Sequence, residues 1–107
     1  MKNVSEFKRE LKIGRLLNCT YHQEFNGRDE DGKVIYKDLV REPREISIIQ
    51  SNSFALKTKK KDGTFTDSWC NYPKASECVF ENGVCTIMCE DYRDENKKLI
   101  PILSYSF

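Results

Sequence analysis

Four consecutive β-strands are predicted between Arg44 and Glu90, and this block constrains the fold more than any other part of the chain. Short apolar segments alternate there with three polar turns, a spacing typical of antiparallel hairpins. The turns are Ser51–Ser53, Lys60–Gly63 and Asn82–Gly83. Asn-Gly is the strongest of these signals, because both residues tolerate positive φ. The block therefore predicts an antiparallel sheet, and it contains no catalytic, metal or phosphate-binding motif.

The turn lengths predict a register for each hairpin. A three-residue loop at Ser51–Ser53 pairs Ile48 with Leu56 and Gln50 with Phe54. A four-residue loop at Lys60–Gly63 pairs Phe54 with Trp69 and Thr58 with Phe65, and the Asn82–Gly83 turn pairs Phe80 with Cys85 and Cys78 with Ile87. The residues that this register places on one buried face are Phe54, Leu56, Phe65, Trp69, Cys78, Phe80, Cys85, Ile87 and Cys89.

A short helix is predicted before the first strand. Asn3 followed by Glu6 resembles a capping box, and Phe7 and Leu11 continue an apolar stripe at helical spacing. Gly14 is a suitable C-terminal stop, so the helix is expected over residues 4 to 13. A helix of this length needs a sheet to pack against.

Further strands are predicted on both sides of the central block. Residues 17 to 25 alternate between apolar and polar side chains, as in a half-buried strand, and residues 34 to 36 resume a short strand. Alternation returns from Leu99 to Phe107, where Pro101 predicts an edge strand or a covering tail. The expected fold is α+β and β-dominated. One N-terminal helix packs on an antiparallel, partly closed β-barrel or strongly twisted sheet of five to seven strands.

Length and composition fit a single domain over residues 1 to 107. The 18 basic and 17 acidic side chains give a net charge of +1, which argues against an acidic nucleic-acid mimic and against a wholly basic DNA-binding surface. No apolar run approaches the 18 or so residues that would span a membrane. Residues 1 to 6 lack the apolar core of a signal peptide, and the five cysteines then predict reduced thiols in a cytoplasm.

The cysteines and the single histidine are candidates for metal or nucleophilic chemistry. Cys70, Cys78, Cys85 and Cys89 contain no C-x-x-C pair, so buried free thiols are favoured over a zinc site or cross-strand disulfides. His22 belongs to no recognisable nucleophile motif. We therefore predict no catalytic residue, no metal and no cofactor, and a protein that is not an enzyme.

Two local sequences are candidate binding sites. The first is a lysine-rich hairpin, a candidate for neutralising phosphates, although the predicted register buries the neighbouring Phe65 and Trp69 and leaves only Tyr72 as a stacking platform. Its residues are Lys57, Lys59, Lys60 and Lys61. The second is the corner formed by Trp69, Tyr72 and Lys74 around Pro73, a candidate for protein binding because Trp and Tyr dominate interface hot spots.

Several segments together resemble small uncharacterised proteins carried by bacteriophages and other mobile elements. The resemblance spans about residues 4 to 89, and its segments are residues 6–14, 44–48, 50–56, 68–69 and 72–75, of which Tyr-Pro-Lys-Ala at 72–75 is the most specific. It implies a bacterial cytoplasm and an accessory role. Proteins of that size and origin are often inhibitors of host defence or regulators of nucleic-acid machinery.

Two functions are consistent with these observations. The first is a protein-binding inhibitor or adaptor acting on a host complex, with an anti-defence or anti-CRISPR-like role. Its affinity would come from an aromatic anchor or from strand addition at a sheet edge. The alternative is a small nucleic-acid-binding β-barrel that uses the lysine-rich hairpin.

Overall fold

The computed structural model describes all 107 residues, which form one short helix and eight antiparallel strands in a single sheet. The elements are α1 (Val4–Glu10), β1 (Leu16–Arg28), β2 (Val34–Val40), β3 (Arg44–Ile49), β4 (Ser53–Lys59), β5 (Phe65–Asn71), a 3₁₀ turn (Ala75–Glu77), β6 (Cys78–Glu81), β7 (Val84–Glu90) and β8 (Leu99–Ser106). The block from Arg44 to Glu90 thus contains five strands instead of the four that were predicted. The α1 helix has seven residues, too few to cross a membrane.

Helix α1 begins as predicted and ends earlier. The Asn3 side chain accepts a hydrogen bond of 2.8 Å from the Glu6 N–H, which confirms the N-cap, while the Glu6 carboxylate accepts from the Lys2 N–H instead of that of Asn3. The helix ends at Glu10, because Leu11 is already extended with ψ 123° and buried. Gly14 donates its N–H to the Ile46 carbonyl, so the chain has by then been drawn onto β3.

The strands follow the order β5-β4-β3-β1-β8-β7-β6, and β2 pairs only with β1. The predicted α+β, β-dominated class is confirmed. Because β5 and β6 at the two ends do not pair with each other, the sheet is open and twisted instead of closed into a barrel. Its eight strands exceed the predicted five to seven.

Strand β8 lies inside the sheet, so the prediction of an edge strand or covering tail was wrong. It pairs with β1 from Leu103 to Ser106 and with β7 along its length. Pro101, which has no N–H to donate, lies at a register shift between β7 and β8 and beyond the part of β8 that pairs with β1. A proline is tolerated at such an irregularity, because no regular ladder bond is required there.

The sheet curls around a small aromatic core. Strands β4 and β8 are three positions apart, which would separate them by about 14 Å in a flat sheet. The rings of Phe54 and Tyr105 are nevertheless only 5.8 Å apart, and Phe7 of α1 lies within 5.9 Å of both. The remaining members of the buried cluster are Leu11, Leu17, Cys19, Ile46, Leu56 and Cys85.

The predicted registers hold for one hairpin and fail for two. Phe80 pairs with Cys85 and Cys78 with Ile87, as the Asn82–Gly83 turn predicted, and both turn residues have positive φ. The β3–β4 loop has two residues instead of three, since Gln50 bonds to Ser53, and a bulge then places Ile46 opposite Leu56. The β4–β5 register is shifted by one residue, with consequences for the candidate binding site.

Candidate functional site

The β4–β5 register turns Phe65 and Trp69 outward, which corrects the prediction that both are buried. Phe65 pairs with Lys59 and Trp69 with Ala55, so these side chains lie on the face opposite Phe54 and Leu56. Phe65 is 59% exposed and Trp69 53% exposed. Two large rings therefore lie on the solvent face of an edge strand, on the same side as the lysines.

The physical reason for the shift is the length of the loop. Lys60 and Thr64 close the hairpin through a 2.7 Å bond, leaving three residues in the loop instead of four. Gly63 has φ +88°, and its N–H bonds to the Lys60 carbonyl, which is the pattern of a type I turn followed by a left-handed residue. Thr64 donates both its N–H and its hydroxyl to the Asp62 carboxylate, which secures this loop.

A basic cleft of about 410 Å³ lies at the end of this hairpin, next to the connection from β2 to β3. Its lining residues are Arg41, Glu42, Pro43, Arg44, Lys57, Thr58, Lys59 and Phe65. Four cations thus surround a cavity that contains one carboxylate, although the whole chain has a net charge of only +1. Lys57 lies 5.7 Å from the Phe65 ring centroid and 3.9 Å from Glu45. Lys60 and Lys61 are exposed in the neighbouring loop but do not line the cleft.

Arg44 forms a fixed wall of the basic cleft. Its guanidinium donates hydrogen bonds to the hydroxyls of Thr58 (3.1 Å) and Tyr21 (3.5 Å), and its buried Nε has no partner. Polar contacts from two strands therefore orient this cation. No sequence signal indicates that Arg41 and Arg44 belong to this site, because only the pairing of β3 with β1 and β4 brings them next to the lysines.

The predicted protein-binding corner is divided between the two faces of the sheet. Trp69 and Lys74 are exposed, whereas Tyr72 is half-buried with its ring 5.4 Å from Phe54. The Tyr72 hydroxyl donates to the Gln50 carbonyl at 2.7 Å, and the Lys8 ammonium lies 4.8 Å from its ring. Tyr72 therefore packs against the core, and its predicted role as an exposed partner-binding residue remains a prediction.

The cysteines are free thiols, and no group of three or more potential ligands could hold a metal ion. Cys19 and Cys85 are fully buried, while Cys70, Cys78 and Cys89 are half-buried. Burial raises the pKa of the Cys19, Cys70, Cys78 and Cys85 thiols, that of Cys85 to about 12. These thiols are protonated at neutral pH, which disfavours both metal binding and nucleophilic attack.

A row of polar side chains crosses the sheet in a Ser–His–Asp arrangement that sequence reasoning did not find. His22 Nε2 lies 2.7 Å from Ser104 Oγ, and His22 Nδ1 lies 2.8 Å from Asp38 Oδ1. These distances match a nucleophile, base and orienting acid. However, no cavity is lined by any of the three residues, and Ser104 is paired on both sides of its strand, with Thr20 and Thr86. The row therefore has no cavity beside it for a substrate, and it links β2, β1 and β8.

An apolar groove lies between the β1–β2 hairpin, β7, β8 and the loop that joins the last two strands. It consists of two cavities of about 380 and 340 Å³ that share Cys89, Glu90, Tyr92 and Ile102. Its remaining apolar residues are Tyr36, Ile87, Met88, Leu99 and Ile100. Tyr92 is 86% exposed. The only sequence signal for this surface is a tyrosine within a charged loop, and the other residues come from distant segments.

Comparison with protein-family models, with curated proteins and with solved structures finds no match.

Proposed function

We propose that this protein is a non-enzymatic inhibitor or adaptor that binds a protein of a bacterial host complex through the apolar groove. The observation that carries the proposal is the exposure of Tyr92 and Leu99 at two neighbouring cavities whose linings are mostly apolar. Exposed apolar patches that are rimmed by polar residues mark protein interaction sites. The bacterial host and the accessory role rest on the resemblance to proteins of bacteriophages and mobile elements.

The charges at the rim define the chemistry of the partner. Glu77, Glu90 and Asp91 line the two cavities, and Arg93 pairs with Asp91 at 3.2 Å. Glu77 and Glu90 are in no ion pair and remain free to attract cations. The partner therefore offers an apolar segment flanked by basic side chains, with Tyr92 as the aromatic anchor.

Strand addition next to the groove can extend the interface. Strand β2 pairs only with β1, which leaves the main-chain groups along its other edge without a neighbouring strand. Ile35, Leu39 and Val40 are exposed on this strand. An extended partner segment can add to such an edge and place its side chains against the groove. We place the partner surface here instead of at the Trp69–Tyr72 corner, because Tyr72 is already engaged with Phe54 and Gln50.

The experiment is affinity capture from nuclease-treated bacterial lysate with the wild type, Tyr92→Ser and Leu99→Ser. Both substitutions are at exposed positions, so we expect the variants to fold and to lose at least tenfold of the captured partner. Ile13→Ser is the matched control, because Ile13 is exposed far from the groove in the connection between α1 and β1. The proposal is contradicted if the groove variants capture as much partner as the wild type does. It is also contradicted if the partners captured from untreated lysate are all lost when the lysate is treated with nuclease.

A further inference from the structure

The outward face of the β4–β5 hairpin combines exposed rings with exposed cations. We call Lys57, Lys59, Phe65 and Trp69 the basic–aromatic face. Paired strands place Phe65 beside Lys59, with Lys57 diagonal to it at 5.7 Å from the ring. Phe65 and Trp69 are four residues apart on one strand, so their Cα atoms are about 13 Å apart. The face thus offers two separate aromatic platforms, with Lys59 and Lys57 beside Phe65 and with Asp67, opposite Lys57, between the two rings.

The basic cleft continues this face toward Arg41 and Arg44. Glu42 is the one carboxylate in its lining, and Arg44 is fixed by its bonds to Thr58 and Tyr21. Lys57 also lies 3.9 Å from Glu45 and opposite Asp67 on the neighbouring strand, which leaves Arg41 and Lys59 as the cations without such a partner. A row of cations that leads onto exposed rings is the arrangement that binds a polyanion carrying flat bases. The apolar groove uses none of these side chains.

We infer that the basic cleft and the basic–aromatic face together bind single-stranded nucleic acid without strong sequence preference, independently of the protein-binding groove. The cations of the cleft neutralise backbone phosphates, and Phe65 and Trp69 stack on unpaired bases. A duplex fits less well, because its bases already stack on one another and their faces are not free. An acidic peptide would satisfy the cations but offers no flat groups to the two rings.

Trp69 provides a direct measurement, because it is the only tryptophan in the chain. Titration with a 20-nucleotide oligo-dT, and separately with oligo-U, is expected to quench its fluorescence as bases stack on the indole ring. Similar quenching by both strands indicates recognition of bases and phosphates alone, and stronger quenching by oligo-U assigns RNA through its 2′-hydroxyls. If neither oligo-dT nor oligo-U quenches the tryptophan fluorescence at low salt, the inference is overturned.

Variants separate the two parts of the site when binding of labelled oligo-dT is followed by anisotropy. Phe65→Ala is expected to weaken binding about tenfold, within the range for loss of one base stack. Phe25→Ala is the matched control, because Phe25 is also 59% exposed but lies on the β1–β2 hairpin. Lys59→Gln should reduce the slope of log K against log salt by about 0.7, and Lys12→Gln should leave it unchanged.

Two competitors test the class of ligand. A duplex of the same length and poly-glutamate are expected to displace oligo-dT at least tenfold less effectively than unlabelled oligo-dT. If poly-glutamate displaces oligo-dT as well as unlabelled oligo-dT does, charge alone accounts for binding. If Phe65→Ala binds oligo-dT as tightly as Phe25→Ala does, the stacking role of Phe65 is overturned. The circular dichroism of each variant verifies that the sheet is intact.

Discussion

At the scale of single residues, the same aromatic type has opposite roles depending on which side of the sheet it occupies. Trp69 and Tyr72 are three residues apart, and the sequence grouped them in one corner. Trp69 is exposed on the outer face, whereas the Tyr72 ring contacts Phe54 and its hydroxyl bonds to Gln50. Residue type alone indicates a bulky side chain at each position, and the direction of each side chain comes from the strand pairing.

Substitution of Tyr72 is therefore expected to reduce stability. Tyr72→Ala removes the ring from its contact with Phe54, which should cost about 2 kcal/mol for a half-buried aromatic residue. Tyr72→Phe keeps the ring and loses only the 2.7 Å hydrogen bond to Gln50, at a cost of about 1 kcal/mol. Urea unfolding gives both values. An unchanged midpoint for Tyr72→Ala would show that the ring does not contribute to the core.

The buried thiol of Cys85 makes stability depend on pH in the alkaline range. Burial, together with the neighbouring Cys78 thiol, raises the pKa of Cys85 from 9.0 to about 12. In the unfolded chain this thiol loses its proton near pH 9, so between pH 9 and 12 the unfolded state binds fewer protons and stability falls as pH rises. We expect Cys85→Ala to flatten this decline, measured as the slope of unfolding free energy against pH. An unchanged slope would exclude a contribution from Cys85.

At the scale of secondary-structure elements, the turns explain which registers the sequence could predict. Asn82 and Gly83 both adopt positive φ in a two-residue turn, so the β6–β7 pairing could be predicted from this dipeptide. Lys-Lys-Asp-Gly-Thr is compatible with either a three- or a four-residue loop. The bonds from Thr64 to Asp62 favour the shorter one, and this choice turned Phe65 and Trp69 outward.

The β4–β5 turn depends on Gly63 in its left-handed conformation. Gly63→Ala leaves enough space for a Cβ atom but strains the backbone at φ +88°, so we expect a loss of about 1 kcal/mol. Lys61→Ala, in the same turn, has no positive φ to maintain and should be nearly neutral. Thermal unfolding of both variants tests this expectation. Equal midpoints would show that another loop conformation is as stable.

The Ser104–His22–Asp38 row is expected to hold strands together without reacting. A fluorophosphonate probe should leave Ser104 unlabelled, because no cavity orients the probe and Ser104 lies on a strand that is paired on both sides. His22→Ala should instead speed hydrogen exchange of the β2 amides, because His22 joins Asp38 of β2 to Ser104 of β8. Intact-mass spectrometry and hydrogen exchange measure the two effects. If the probe labels Ser104 in the wild type but not in His22→Ala, Ser104 is a nucleophile activated by His22.

At the scale of the whole molecule, the chain is more extended than its length requires. Its Cα radius of gyration is 15.5 Å, against about 13 Å for a compact domain of this size. Only 11 of 107 residues are buried, and β2, β5 and β6 contain none of them. Ile35, Leu39 and Val40 of β2 are accordingly exposed apolar side chains.

Small-angle X-ray scattering should therefore give a radius of gyration clearly above 13 Å for the monomer. The measurement is made over a concentration series, because exposed apolar side chains on β2 could pair two copies. Deletion of residues 30–32, the tip of the hairpin, should change this value only slightly, since the two strands provide most of the extension. A monomer near 13 Å would mean that the hairpin folds back onto the sheet.

The sequence by itself determined the antiparallel sheet, the capped N-terminal helix, the β6–β7 register and the lysine cluster at the β4–β5 hairpin. These features depend on local backbone preferences and on neighbouring side chains, which a short segment contains in full. Only the tertiary structure decided the outward direction of Phe65 and Trp69, the addition of Arg41 and Arg44 to the lysines, and the apolar groove around Tyr92. Each of these depends on a one-residue choice of register or on contacts between distant strands, and in a sheet such a choice reverses the face of every side chain that follows.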